Sequence, residues 1–197
     1  MKKLAFALSA LAALTLLAPT SGIAAQGTLG VYFDTDATIY ETTSTPYVQV
    51  SAYVSVVAHD FDNIFGYEFG YTIEGAHTVT GTLLQGSGPI DVGGAAGNHI
   101  VGLASPMVAD PVTVVCIINI FVLDTNPIFI TLTGASPNSV PGSNTPAVLL
   151  AGDVIARCGV SGWDPVNELP DRCAAINGTG IVSVDQTSLD AVKSLYR

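Results

Sequence analysis

The chain has 197 residues, with 16 acidic against 6 basic side chains and a formal net charge of −10. This balance excludes a basic surface for nucleic acid or anionic lipid, because both are bound by lysine and arginine that neutralise phosphate. A chain of this length with 49% hydrophobic residues suits one domain with a substantial core.

Residues 1–25 have the features of an export signal. Lys2 and Lys3 precede an apolar run over 4–17, and small residues end the segment at Ala25. We therefore expect a secreted protein, extracellular or at the cell surface. We expect no membrane span after cleavage, because the run is shorter than the roughly 20 apolar residues of a membrane-crossing helix. The mature chain would keep four basic residues against sixteen acidic ones, a net charge of −12.

Alternation of apolar and polar residues predicts strands in the first half of the mature chain. Over 47–58 the valines share one face, and Tyr47 and Tyr53 share the other. Over 67–74 aromatic residues share the inner face and Glu68 lies on the outer face, which indicates a half-buried strand. Shorter strands are expected over 29–33, 78–84 and 99–103.

The segment 111–123 is the strongest strand signal in the chain. It carries no charge, is dense in β-branched residues and would extend about 40 Å as a strand. Even-numbered residues from Val112 to Val122 would share one face, and both faces are mostly apolar. This pattern predicts a central strand of a packed sheet.

The rest of the chain alternates strands with turn signals. Residues 128–132 would return as a hairpin partner, and three prolines in 134–146 predict a surface loop. A strand resumes over 147–156, and the Asn177-Gly178 dipeptide favours a last hairpin.

Many short strands without a sequence repeat predict an all-β fold. We expect an antiparallel two-sheet β-sandwich of the immunoglobulin-like or jelly-roll type over 26–184. The tail, 185–197, differs in pattern, because Thr187 would cap a short amphipathic C-terminal helix.

The three cysteines fall into two classes. Cys158 and Cys173 lie in a polar, turn-rich segment, where an oxidising compartment would let them form a disulfide worth about 3 kcal/mol. Cys116 lies inside the apolar strand and is expected to fill the core; a nucleophile is the weaker alternative. No Cys-x-x-Cys pairing suggests zinc.

One acidic turn has the chemistry of a cation site. Asp60, Asp62 and Asn63 place oxygen ligands close together, which would suit calcium. Their spacing is not that of a twelve-residue calcium loop, and acids in turns commonly cap backbone amides. The sequence indicates no other cofactor.

Carboxylate catalysis is the alternative function that the sequence leaves open. A secreted polysaccharide hydrolase would need two carboxylates about 5 to 9 Å apart, such as Glu68 with Glu74 or Asp60 with Asp62. Ordinary solvated charge explains the two glutamates equally well, and no Gly-x-Ser-x-Gly elbow is present. We therefore predict that the protein is not an enzyme.

Aromatic side chains offer a candidate ligand surface. Tyr47, Tyr53 and Trp163 would stack on sugar rings if they lie on the surface. The competing interpretation is that the tyrosines fill the contact with the second sheet.

The strands over 67–75 and 112–123 together resemble those of secreted bacterial sandwich domains of the cohesin and carbohydrate-binding type. This resemblance implies a cohesin-like β-sandwich that acts as an extracellular, non-catalytic binding or structural module. Its partner would be an extracellular protein or a glycan. The resemblance identifies no functional residue.

Overall fold

The computed structural model describes residues 26–164 and 169–179 of the chain. The predicted signal segment, 1–25, and the predicted helix in the tail, 185–197, lie outside these residues. The described part is all-β, as the sequence predicts. None of its segments is a helix long and apolar enough to cross a membrane.

Fifteen strands make up the described part. In chain order they are β1 (Thr28–Tyr32), β2 (Glu41–Thr42), β3 (Gln49–Val57), β4 (Asn63–Glu74), β5 (His77–Leu84), β6 (Ile90–Asp91), β7 (Asn98–Val108), β8 (Val112–Val122), β9 (Ile128–Thr133), β10 (Ala147–Leu150), β11 (Val154–Arg157), β12 (Gly159–Val160), β13 (Trp163–Asp164), β14 (Leu169–Pro170) and β15 (Arg172–Ile176).

Two sheets form the predicted sandwich. The five-stranded sheet has the order β12-β1-β3-β8-β5. In the eight-stranded sheet, β10 and β9 share one edge of β4, with β11 beyond β10 and with β15 and β2 beyond β9. β7 and then β6 extend that sheet from the other edge of β4. β13 and β14 form a separate two-stranded sheet.

Two strand pairs depart from the antiparallel prediction. β1 pairs with β12 and β15 pairs with β2 in parallel, so both sheets are mixed. β12 and β2 are two-residue strands at the ends of their sheets. Two parallel strands cannot be joined by a tight hairpin and need a longer crossover connection. The chain between β1 and β2 does cross from one sheet to the other.

The predicted central strand is confirmed. β8 lies between β3 and β5, and its residues Ile118 and Ile120 are fully buried in the core cluster that also contains inward-facing residues of β4 and β9. Cys116 is also fully buried, and burial raises the pKa of its thiol to about 12. Cys116 is therefore a core residue, since a nucleophile needs the thiolate.

The predicted assignment of residues to the two faces of β8 is correct only from Cys116 onward. Cys116 pairs with Val54 while Val114 pairs with Ser55, so Val115 is an extra residue that forms a β-bulge. Such a bulge reverses the alternation of side chains. Before it, Thr113 and Val115 point to the core in place of Val112 and Val114.

The position of Ile118 yields a stability prediction. Ile118→Asp should prevent folding, because an unpaired buried carboxylate costs more than about 4 kcal/mol, a large share of the about 5 to 15 kcal/mol of a domain. The adjacent Ile117→Asp places the same charge on the half-exposed outer face, and it should fold with a loss below about 2 kcal/mol. Thermal melting followed by circular dichroism measures both, and equal melting curves would disprove the central position of β8.

Candidate functional site

A groove of about 370 Å³ crosses the outer face of the eight-stranded sheet. β4, β7 and β10 form its floor, while β6 and β11 lie along its sides. Its aliphatic lining comes mainly from Ile90, Val92, Ile100, Leu149 and Ile155.

Strand register explains the shape of the groove. Five residues stand in one row across five neighbouring strands, in the order Ile90, Gly102, Gly66, Leu149 and Ile155. Glycines occupy the middle of the row, and aliphatic side chains stand beside them. The groove is therefore the space that two missing side chains leave.

The two glycines differ in whether a side chain would fit at their position. A Cβ atom on Gly66 would lie 2.6 Å from the carbonyl oxygen of Val101, closer than real Cβ atoms approach, so this position requires glycine. A Cβ atom on Gly102 would meet nothing within 4 Å. A larger residue at position 102 would therefore fill the groove without a clash at its Cβ.

One charged side chain lies in the floor. Glu68 is only 5% exposed. The N–H and the hydroxyl of Ser139 donate to its two carboxylate oxygens at 2.9 Å and 2.6 Å. The expectation that Glu68 is a solvated surface charge is wrong, because this carboxylate anchors the proline-rich loop to the sheet.

That loop covers 134–146 and has no regular structure, as predicted. Asn98 of β7 accepts a hydrogen bond from the N–H of Ser136 at 2.8 Å and donates to its carbonyl oxygen at 2.9 Å. The Arg157 guanidinium donates to the buried Thr145 hydroxyl at 2.9 Å. These bonds fix the loop along the groove, and Ser139 joins the groove lining.

Hydrogen bonds of Asp91 fix the side of the groove that Ile90 and Val92 form. Asp91 lies between them in sequence, and its carboxylate is 2.7 Å from Nδ1 of His99. Two backbone N–H groups also donate to it, at 2.9 Å and 3.0 Å. Burial by itself raises the pKa of Asp91, but the hydrogen bonds from His99 and the backbone outweigh it and the net pKa lies below the ordinary value of 3.8.

The sequence predicts an aromatic inner face on β4, and the ring of His99 packs on that face. Its ring centroid lies 5.1 Å from that of Phe69 and 5.8 Å from that of Tyr71. Tyr67 continues the stack at 6.3 Å from Phe69. The pair of His99 and Asp91 thus connects the core to the exposed side of the groove.

Two of the three predicted aromatic ligand residues, Tyr47 and Tyr53, do not line the groove. Tyr47 is 74% exposed, and its ring centroid lies 6.5 Å from that of Phe121. Tyr53 is half-buried on the same outer face of the five-stranded sheet. It lies up to roughly 20 Å from Tyr47 along the strand direction. Trp163 begins β13, and its side chain is outside the described part of the structure.

Of the two carboxylate pairs proposed for hydrolysis, Glu68 and Glu74 lie far from each other. Glu68 and Glu74 point to the same side of β4 but are six residues apart, roughly 20 Å along a strand. Glu74 is exposed and accepts a hydrogen bond from Arg172 at 3.1 Å. Glu68 is the one carboxylate that lines the groove in the described residues.

The acidic turn between β3 and β4 is exposed. Asp60, Asp62 and Asn63 all lie on its surface, next to a stacked pair of rings, His59 and Phe61, with centroids 4.2 Å apart. Within 26–164 and 169–179, no three His, Cys, Asp or Glu side chains come together as a metal site. Calcium binding at the turn stays a prediction.

The structure does not show the predicted disulfide. Cys158 and Cys173 are free thiols, both buried, and their sulfurs contact different carbonyl oxygens, of Gln26 at 3.9 Å and of Ile130 at 3.1 Å. Burial raises the pKa of both thiols to about 12. Disulfide formation proceeds through the thiolate, so this environment disfavours oxidation.

The sequence patterns do not predict the groove as a whole, although they contain a local signal for it. The outer positions of β4 read Gly66, Glu68 and Gly70, so the strand offers little side-chain bulk on a face that would otherwise carry it. An alternation of aromatic and glycine residues around one carboxylate was the available clue.

Solved structures share this fold. A cohesin module of a family 33 glycoside hydrolase from Clostridium perfringens aligns with 78% of this chain and 98% of its own, at a TM-score of 0.52 and 9% identity. The sixth cohesin of scaffoldin B from Acetivibrio cellulolyticus, solved with a dockerin, covers 78% of this chain and 99% of its own, at 0.53 and 10% identity. The cohesin-like β-sandwich that the sequence resemblance implies is therefore confirmed.

No protein-family model matches the sequence, and no curated protein matches it. Likeness at such low identity establishes the fold alone.

The bonds of Asp91 predict an acid-sensitive contribution to stability. Because its folded-state pKa is lowered, the contribution is present above pH 3.8 and is lost as the pH falls through the folded-state value. Asp91→Asn should lower the free energy of unfolding by about 1 to 2 kcal/mol at pH 7 and by less in acid. Urea titrations from neutral to acid pH measure this, with the exposed Asp36→Asn as the control that changes little. A difference independent of pH would contradict the role of the carboxylate.

The cysteines can be counted directly. Protein purified without reductant, unfolded in guanidinium and alkylated should carry three modified cysteines by mass spectrometry, because the structure holds three free thiols. Modification of Cys116 alone would show instead that the predicted bridge forms.

Proposed function

We propose that the protein is a secreted, non-catalytic module that binds another protein through the groove on its eight-stranded sheet. The observation that carries this proposal is the glycine floor between exposed aliphatic side chains. Ile90 and Val92 are 68% and 69% exposed on one side, and Ile155 is 40% exposed on the other. Exposed apolar clusters of this kind mark binding surfaces, because covering them removes apolar area from water.

The groove suits an aliphatic or aromatic side chain of a protein partner. Its floor holds one carboxylate, and Ser139 already occupies both oxygens of Glu68. Because that carboxylate is already hydrogen-bonded within the protein, we expect apolar burial and the shape of the floor to drive binding. Core positions of protein interfaces have this composition.

A sugar is a poorer fit to the groove. Sugar rings stack on exposed aromatic faces, and the tyrosine in the lining, Tyr67, is 3% exposed and donates its hydroxyl to the carbonyl oxygen of Gln85 at 3.0 Å. The remaining side walls are aliphatic. We therefore assign the groove to a protein and not to a glycan.

Two further observations support a secreted binding module. The N-terminal segment has the pattern of an export signal. The cohesin of Acetivibrio cellulolyticus was solved with a dockerin bound, so a module of this fold can take a protein partner. No observation favours the hydrolase alternative: Glu68 and Glu74 are too far apart for paired catalysis, and Asp60 and Asp62 lie exposed in a turn outside the groove.

Filling the groove tests the proposal. Gly102→Leu should abolish binding to the partner without loss of stability, because its side chain enters open space. The wild-type domain and the variant are immobilised, exposed to the secreted proteins of the source organism, and the retained proteins are identified by mass spectrometry.

A matched variant controls for the substitution itself. Gly81 lies on the other sheet, and a Cβ atom there would be 3.9 Å from its nearest neighbour, so Gly81→Leu adds the same side chain away from the groove. A protein retained by wild type and Gly81→Leu but lost with Gly102→Leu supports the proposal. Equal retention by all three, or hydrolysis of a polysaccharide by the wild type, would refute it.

A further inference from the structure

The five-stranded sheet differs from the eight-stranded sheet in charge. None of its strands β1, β3, β5, β8 and β12 contains an aspartate, glutamate, lysine or arginine. The strands of the eight-stranded sheet contain charges of both signs, among them Glu68, Glu74 and Arg172. Because the chain has 16 acidic residues, a whole sheet whose strands carry no charged side chain is unusual.

The outer face of this sheet carries two bands of apolar side chains. One is a row in register across four strands, made of Tyr32, Tyr53, Ile117 and Leu83. The other is formed by Tyr47 and Phe121, whose rings are tilted by 45° at a centroid distance of 6.5 Å. The interpretation that Tyr47 fills the contact between sheets does not fit, because this ring is 74% exposed.

Tyr47 is held out by an unusual backbone conformation. Its φ angle is 67°, in the left-handed region that residues other than glycine seldom adopt. The N–H of Tyr47 donates to the carbonyl oxygen of Val122 at 2.7 Å, and that bond fixes the residue against β8. Strained residues are retained where the structure around them over-determines them, frequently at ligand-binding surfaces.

Two amide side chains accompany these bands: Asn119 lies between them, and Gln49 stands opposite Phe121. The Ser51 hydroxyl donates to Oδ1 of Asn119 at 3.0 Å, and the Thr80 hydroxyl donates to Oε1 of Gln49 at 2.9 Å. Both amide oxygens therefore have partners on the face itself. The two NH2 groups have no partner among the described residues and are available as donors to a ligand.

We infer that this outer face binds a chain of a neutral polysaccharide. Rings of sugars would stack on Tyr47 and Tyr53, and their hydroxyl oxygens would accept hydrogen bonds from Asn119 and Gln49. The two tyrosines are up to roughly 20 Å apart, so the ligand must span several sugar units. A face without charge fits a polymer without charge.

This site is independent of the groove, which lies on the other sheet. A module with both would hold a protein on one side and a polysaccharide on the other. The two sites can therefore fail or succeed separately in experiments.

Affinity electrophoresis in native gels tests the inference. The mature protein is run through gels that contain hydroxyethylcellulose, xyloglucan, galactomannan or, as the charged comparison, polygalacturonate. We expect at least one neutral polymer to retard the wild type, and polygalacturonate to have no effect. Tyr47→Ala and Tyr53→Ala should each weaken retardation about tenfold, and the double variant should abolish it.

Matched variants and a second measurement keep the test decisive. Tyr40→Ala removes a half-buried tyrosine next to β2, and Gly102→Leu fills the groove; neither should change retardation. Melting curves confirm that each variant is folded.

Three outcomes would overturn the inference. The first is that no neutral polymer retards the wild type, and the second is that the double tyrosine variant is retarded as strongly as the wild type. The third is a concentration-dependent dimer in sedimentation that Tyr47→Ala dissolves, since the face would then bind a second copy of the chain.

Discussion

The fold and its candidate site both depend on the two faces of β4. Its inner face presents Tyr67, Phe69 and Tyr71 to the core, and its outer face presents only Gly66, Glu68 and Gly70 over the same stretch. A Cβ atom on Gly66 would collide with β7, and one on Gly70 would lie 2.5 Å from the Thr133 hydroxyl of β9. The lack of side-chain bulk therefore lets neighbouring strands approach on both edges and leaves the groove above them. Between the glycines, the Glu68 carboxylate holds the proline-rich loop in place.

The two sheets divide the polar chemistry of the molecule. The eight-stranded sheet holds carboxylates in hydrogen bonds, such as those of Glu68 with Ser139 and of Asp91 with His99, around an aliphatic groove. The five-stranded sheet has no charged residue in its strands and presents tyrosines and amides to solvent. Because buried charges need partners and exposed apolar surface favours being covered, these faces suit different ligands. The sandwich separates the two surfaces by the thickness of its core.

Much of the architecture could be predicted from local patterns. The β-branched run around Ile118 indicated the central strand, the prolines in 134–146 indicated the loop, and burial of Cys116 followed from its position in the run. No sequence signal indicated the bulge at Val115, because the neighbouring residue is also valine and the apolar pattern does not distinguish the two faces there. The glycines on either side of Glu68 were a clue to the groove, but its place could not be predicted, since it arises where Gly66 and Gly102 come into register from strands distant in sequence. Burial of Cys158 and Cys173 likewise depends on tertiary packing that a turn-rich sequence does not reveal.

The proposed binding surface for the protein partner is the groove, and not another face of the sandwich. Site-specific photo-crosslinking tests it most directly, with a photoreactive amino acid incorporated at position 102 or, for comparison, at position 81. Both positions have open space for the added side chain. Illumination in the presence of the secreted proteins should give a discrete adduct from position 102, and sequencing should place the link on an apolar side chain of the partner. An adduct from position 81 alone, or none from position 102 while the partner is still retained by the domain, would show that the partner binds elsewhere.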